Sequence, residues 1–181
     1  LEVAVREERH IVGCPLWSIG PALQFDVEGT YQAGELLLDD GGTRSIGAWT
    51  IASSAKYTFT QLSLRPRISV GGGVESGDGE VGDGDLGTYR GPFLKLRWAG
   101  VTSRIGPGNG FGGNLGLSIH PLDALSVAAT LRLFFRLSPD DAVYSPAGFP
   151  QRFGDSRARY VGTSIAGAVT WDPHHIVSAF L

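Results

Sequence analysis

The sequence predicts an all-β protein, an antiparallel transmembrane β-barrel with about eight strands in this chain. Three observations carry that expectation. Residues 125–137, Leu-Ser-Val-Ala-Ala-Thr-Leu-Arg-Leu-Phe-Phe-Arg-Leu, are apolar at every odd position, with Ser126, Thr130, Arg132 and Arg136 among the even ones. A two-residue period makes a strand with one apolar and one polar face. The second observation is length. Thirteen residues at ~3.3 Å each span roughly 43 Å, against about 5–6 residues in a usual globular strand and about 9–11 in a tilted transmembrane one. The third is the alternation of connections, short near 60–64, 120–124 and 171–175 and long at 33–45, 75–112 and 138–158. Outer-membrane barrels put short turns at one end and long loops at the other. A soluble sandwich mixes loop lengths at both ends.

The elements follow in order. Residues 1–9 are charged and alternating, a weaker strand candidate. In 23–32, Leu23, Phe25, Val27 and Tyr31 alternate with polar residues that include Asp26 and Glu28. In 49–59, Trp49, Ile51, Ala55, Tyr57 and Phe59 alternate with Thr50, Ser54, Lys56 and Thr58. Residues 65–74 set Ile68, Val70 and Val74 against Arg65, Arg67 and Ser69, and Pro66 is tolerable at a strand start. Strands are also expected at 114–120, at 159–171 and, more weakly, at 175–181. No segment has a helical period. Trp49 and Phe59 share one face ten residues apart, roughly 33 Å along a strand and less along the normal of a tilted one. That spacing approaches the ~25 Å apolar band between aromatic girdles. Trp171 stands beside a short turn, where an interfacial ring belongs.

Composition narrows the class. The chain has 181 residues, enough for one domain, and only 18% of them are charged, against about 25% in soluble domains. A net charge of -3 gives no electrostatic case for nucleic acid. Cys14 is the single cysteine, so no internal disulfide forms. No apolar run is long enough for a transmembrane helix, which leaves a barrel open because barrel strands cross by alternation. The chain contains no methionine, even at position 1. It is expected to be processed or to be part of a longer chain, so residues 1–181 are either one barrel domain or a C-terminal fragment of one.

Several words in the sequence resemble the alginate-export outer-membrane porin family. They are Ser-Gly-Asp (76–78), Gly-Asp-Gly-Asp-Leu-Gly-Thr (82–88), Arg-Gly-Pro (90–92), Ile-Gly-Pro-Gly-Asn (105–109), a strand pair joined by His-Pro-Leu, and Ala-Arg-Tyr-Val-Gly (158–162) followed by Ile165 and Trp171. The resemblance covers about 20–181 and rests on the order of the set more than on any one word. It implies an 18-stranded barrel in the bacterial outer membrane that passively conducts an anionic exopolysaccharide through a pore lined by arginine and lysine. About eight strands cannot make eighteen, so the chain is either a C-terminal portion or a shortened relative, and the fragment is the expectation.

The candidate substrate path is the basic set Lys56, Arg65, Arg67, Arg132, Arg136 and Arg159, expected on the polar face of the strands. A guanidinium fork matches a carboxylate, and a polyuronate carries one carboxylate per sugar. Conduction needs weak, repeated sites. In a narrow barrel the same arginines would pair with Asp26 and Glu28 and fill the lumen, so barrel width decides their role. Glu75, Asp78, Glu80, Asp83 and Asp85 lie among glycines in 75–87. Carboxylates on a glycine-rich loop can bind calcium, but the spacing matches neither the EF-hand loop nor a repeated nonapeptide, and a solvated, mobile outside loop is the favoured expectation over a calcium site.

Other matches fail on inspection. Residues 108–113 fit GxGxxG but open no helix. Ser53 and Lys56 fit SxxK, yet positions three apart on a strand face opposite sides. His174 and His175 are adjacent, with no further ligand to complete a zinc site. The resemblance implies transport, and no enzymatic activity, cofactor or metal is expected. The partners are outer-membrane lipid and an anionic polysaccharide, and nucleic acid is excluded. Two alternatives stay open: a small closed outer-membrane barrel with a structural or adhesin role, and a soluble β-sandwich binding module.

Overall fold

A computed structural model describes residues 4–20, 22–80, 83–91, 105–151, 156–172 and 179–180. The described residues form strands and no helix. The strands are β1 (Ala4–Ile19), β2 (Leu23–Leu38), β3 (Thr43–Thr58), β4 (Arg67–Glu75), β5 (Asp85–Leu86), β6 (Gly110–Leu122), β7 (Leu125–Arg136), β8 (Val143–Tyr144), β9 (Pro150–Gln151), β10 (Tyr160–Trp171) and β11 (Ala179–Phe180). Eight of them make one antiparallel sheet in the order β1-β2-β3-β4-β6-β7-β10-β11. Each is bonded to its sequence neighbour in that order, the up-and-down topology of a barrel wall. The sheet is not closed among the described residues.

Alternation works as the sequence requires. One face carries Phe25, Val27, Ile51, Ile68, Val70, Leu115, Leu117, Leu131, Leu133 and Ile165, all exposed. Burying such side chains is worth about 1.5–3 kcal/mol each, so this face calls for apolar surroundings. Arg132 lies on the other face, half-buried, between exposed Leu131 and Leu133. No second sheet covers the apolar side among the described residues. The other sheet among the described residues is the hairpin β8-β9, with two residues in each strand.

Aromatic rings on the apolar face fall into two rows. Tyr31 pairs with Trp49, and Phe111 pairs with Phe135, which pairs with Tyr160. Phe111 and Phe135 stack at 5.0 Å, and Phe135 meets Tyr160 at 5.6 Å. Toward the other end, Tyr57 and Phe59 meet edge-on at 4.9 Å, and Trp171 pairs with Leu125. Trp49 and Tyr57 are eight residues apart, roughly 26 Å along the strand. The two rows bracket an apolar band of girdle dimensions.

At one end the connections are short: residue 20–22, 59–66 and the two-residue turn Asp123-Ala124. The other end carries 76–109 and 137–159. The expected long loop at 33–45 is corrected to a four-residue turn at 39–42, closed by the Leu38 N–H donating to the Gly42 carbonyl at 2.9 Å. Gly41 takes the left-handed φ of 82° that this turn needs. β2 and β3 thus run past the upper aromatic row, and there the pattern inverts. Leu38, Ile46 and Ala48 are buried on the inner face, while Glu35, Thr43 and Ser45 are exposed on the outer one. There β5 and its loop pack against β3 at Ser45 and Ile46, so the hydrophobic side switches.

β1 is also longer than the 1–9 expected. The ends of the chain at 1–3 and 173–178, which include His174, His175 and much of the expected strand 175–181, lie outside the described residues.

Candidate functional site

The inner face is the site. Direct cross-strand partners share a face, so the register assembles its rows. One row runs Trp17–Asp26–Ser54–Gly71–Asn114–Arg132–Ser164. The next, toward the short-turn end, runs Ile19–Gln24–Lys56–Ser69–Gly116–Thr130–Ala166. Ser54 donates to Asp26 at 2.5 Å. Arg67 donates through Nε to the Thr58 hydroxyl at 2.9 Å. Glycine and serine dominate this face of β4 and β6, leaving room beside the charged groups.

Of the six basic residues expected along the path, the structure brings Lys56, Arg67 and Arg132 together on the inner wall. Arg136 faces inward too, but its guanidinium is committed. It donates to the carbonyls of Ser156 at 2.5 Å, Ala158 at 2.6 Å and Pro139 at 3.3 Å, and only 9% of the residue is exposed. Two placements are corrected. Arg65 belongs to the turn 59–66, with φ 41° and an ion pair to Asp123. Pro66 fixes the turn there, so β4 begins only at Arg67. Arg159 precedes β10 at the long-loop end and donates to the Leu137 carbonyl. Neither stands on the face of a strand.

The described parts of the long loops fold onto the inner face and cap it. β5 pairs parallel with Ser45 and Ile46 of β3, taking the edge that β4 leaves at Glu75. Gln32, fully buried, accepts from Arg9 at 2.5 Å and donates to the Arg90 carbonyl at 2.5 Å. The Asp141 carboxylate gathers four donors: the Asp78 N–H at 2.9 Å, the Thr88 hydroxyl at 2.5 Å, the Ala142 N–H at 2.6 Å and the Tyr144 hydroxyl at 2.7 Å. Glu75 is buried and accepts from the Gly108 N–H at 2.6 Å. Gly108 is left-handed at φ 116°, and a Cβ there would stand 2.7 Å from the Tyr89 carbonyl.

The acidic stretch 75–87 is therefore not simply a solvated loop. Its first residues are built into the cap, because their backbone polar groups need partners once the loop leaves water. Burial pushes the Asp78 carboxyl up, with the neighbouring Asp141 charge adding to it. Burial likewise raises Tyr89, and burial with the Asp141 hydrogen bond pushes Tyr144 up to about 12. Among the described residues no three His, Cys, Asp or Glu side chains group to hold a metal ion.

Sequence reasoning missed Gln32, Asn109 and Asp141, the hubs of the cap. Gln32 and Asn109 reach partners 23 or more residues away, and Asp141 joins its neighbours Ala142 and Tyr144 to Asp78 and Thr88 of the other loop, so no local pattern marks them as hubs. The one local signal was Gly-Pro-Gly-Asn at 106–109, a turn word in which Asn109 adopts φ 48°.

An up-and-down antiparallel sheet, apolar outside, polar and basic inside and capped by loops at one end, is the wall of a β-barrel. Residues 1–172 match the alginate export family, and the chain belongs to it. Comparison with curated proteins gave no match.

Proposed function

We propose that this chain is part of an outer-membrane porin that conducts an anionic polysaccharide passively along a lumen edged by Lys56, Arg67 and Arg132. The observation that carries this reading is the two-sidedness of β7, with Leu131 and Leu133 exposed on one face and Arg132 on the other. Family membership supplies the polymer class. A polyuronate presents carboxylates at regular intervals. A wall of separated cations can hold each in turn and release it, as conduction requires. Asp26 and Glu28 on the same wall moderate the attraction, so that no segment binds too tightly to leave. The driving force is the polymer's concentration gradient, and no covalent step is needed. Arg136, with its fork on backbone carbonyls, belongs to the cap and not to the path. Lipid is the partner of the apolar face.

The test is ion selectivity of the full-length protein in a planar bilayer. Arg132→Glu reverses a lumen charge, a change of about 1 kcal/mol, or roughly fivefold in the anion-to-cation permeability ratio. Arg65→Glu, in a turn, leaves the ratio near that of the unaltered protein. Unchanged selectivity in Arg132→Glu overturns the reading.

A further inference from the structure

At its short-turn end the inner face of β1 carries apolar residues where β2 and β3 carry Gln24, Asp26, Ser54 and Lys56. Trp17 pairs with Asp26 and Ile19 with Gln24, so the indole stands on the wall that carries Ser54, Lys56 and Arg132. It is 63% exposed. A ring on the apolar outer face belongs to a girdle. An indole turned toward the water path has no such role, and it offers a flat apolar surface beside polar groups.

Those groups are placed for a sugar. Gln24 and Lys56 are direct cross-strand partners, one step from Asp26 and Trp17 along the same wall. Trp17, Gln24, Asp26 and Lys56 together line a groove of about 440 Å³, within the ~300–1,000 Å³ of ligand pockets. It lies next to the turn at 20–22, at the short-turn mouth and opposite the capped end.

We propose that Trp17 is the platform of a sugar subsite for one ring of an anionic polysaccharide. The axial C–H face of a pyranose stacks on the indole. The Asp26 carboxylate accepts from ring hydroxyls and the Gln24 carboxamide donates to or accepts from them. The Lys56 ammonium meets the sugar carboxylate. Such a site grips one ring at the mouth and threads the chain toward Arg132. The proposal rests on the polysaccharide reading above, but its test does not need conduction.

Binding of a uronate oligosaccharide to the full-length protein, folded in detergent, is measured by titration calorimetry, with a neutral oligosaccharide of equal length alongside. Trp17→Ala weakens binding of both by about tenfold, the size of a stacking contact. Trp17→Phe, which keeps a ring and guards against a folding defect, weakens both by less. Lys56→Ala weakens the uronate alone. Equal affinity in Trp17→Ala and the unaltered protein, or binding of neither sugar, overturns the subsite. Loss of selectivity effects in the bilayer with a Trp17-dependent affinity retained would instead overturn conduction and leave the subsite standing.

Discussion

Asn109 and Ser138 clasp the two long loops to each other. The Asn109 carboxamide accepts from the Ser138 N–H at 2.6 Å and donates to the Ser138 carbonyl at 2.9 Å. It also donates to Ala142 at 3.0 Å, and Asn109 is 1% exposed. Removing it orphans buried backbone groups, which costs about 1–3 kcal/mol. Asn109→Ala is expected to loosen the cap while the sheet persists. Limited proteolysis should cut 137–151 faster, with the heat-dependent gel shift of a folded barrel unchanged.

At Gly106 the two long loops pass too closely for a side chain. A Cβ there would lie 1.9 Å from the Ser145 carbonyl oxygen, a backbone atom that cannot swing away. The Gly106 N–H also donates to the Tyr144 carbonyl at 2.7 Å. Gly106→Ala is expected to separate the loops and expose 143–151 to hydrogen exchange. Gly79→Ala, with nothing within 4 Å of the added atom, should leave exchange as it was.

The cap is sensitive to alkali through Tyr144. Its hydroxyl, pushed up to about 12, ionises near 10 once released. The folded form thus keeps its proton longer. The Tyr144 contribution is complete below pH 10 and is lost as pH climbs from 10 to about 12. Protease sensitivity of 137–151 should rise through that window, and Tyr144→Phe should remove the part of the rise that this hydroxyl causes.

Much of the wall was legible in the sequence because one rule governs it. Residues 125–137 are apolar at every odd position, with Ala128 and Phe134 as exceptions among the even ones. Residues 164–171 set Ile165, Val169 and Trp171 against Ser164 and Thr170, and β7 and β10 occupy nearly the expected bounds of 125–137 and 159–171. The rule fails where the surroundings change. Residues 33–38 and 43–45 read as a loop because their hydrophobic face reverses above the aromatic row. The part of β1 beyond residue 9 hid because Trp17 and Ile19 face the polar wall while Val12 and Leu16 face the other way. Arg132 was legible from period alone. The role of Arg136 was not, since its acceptors at 156–158 are brought in by the fold. The same holds for Asp141, whose partners Asp78 and Thr88 come from the other loop.

The central claim is that the apolar face meets lipid and the basic face meets water. Spin labels at Leu131 and at Thr130, one residue apart on β7, test it directly in full-length Cys14→Ser protein folded into lipid vesicles. The label at Leu131 should collide with oxygen dissolved in the bilayer and be shielded from a water-soluble nickel chelate. The label at Thr130 should show the opposite. Water access at Leu131 with lipid access at Thr130, or equal water access at both, would contradict the account.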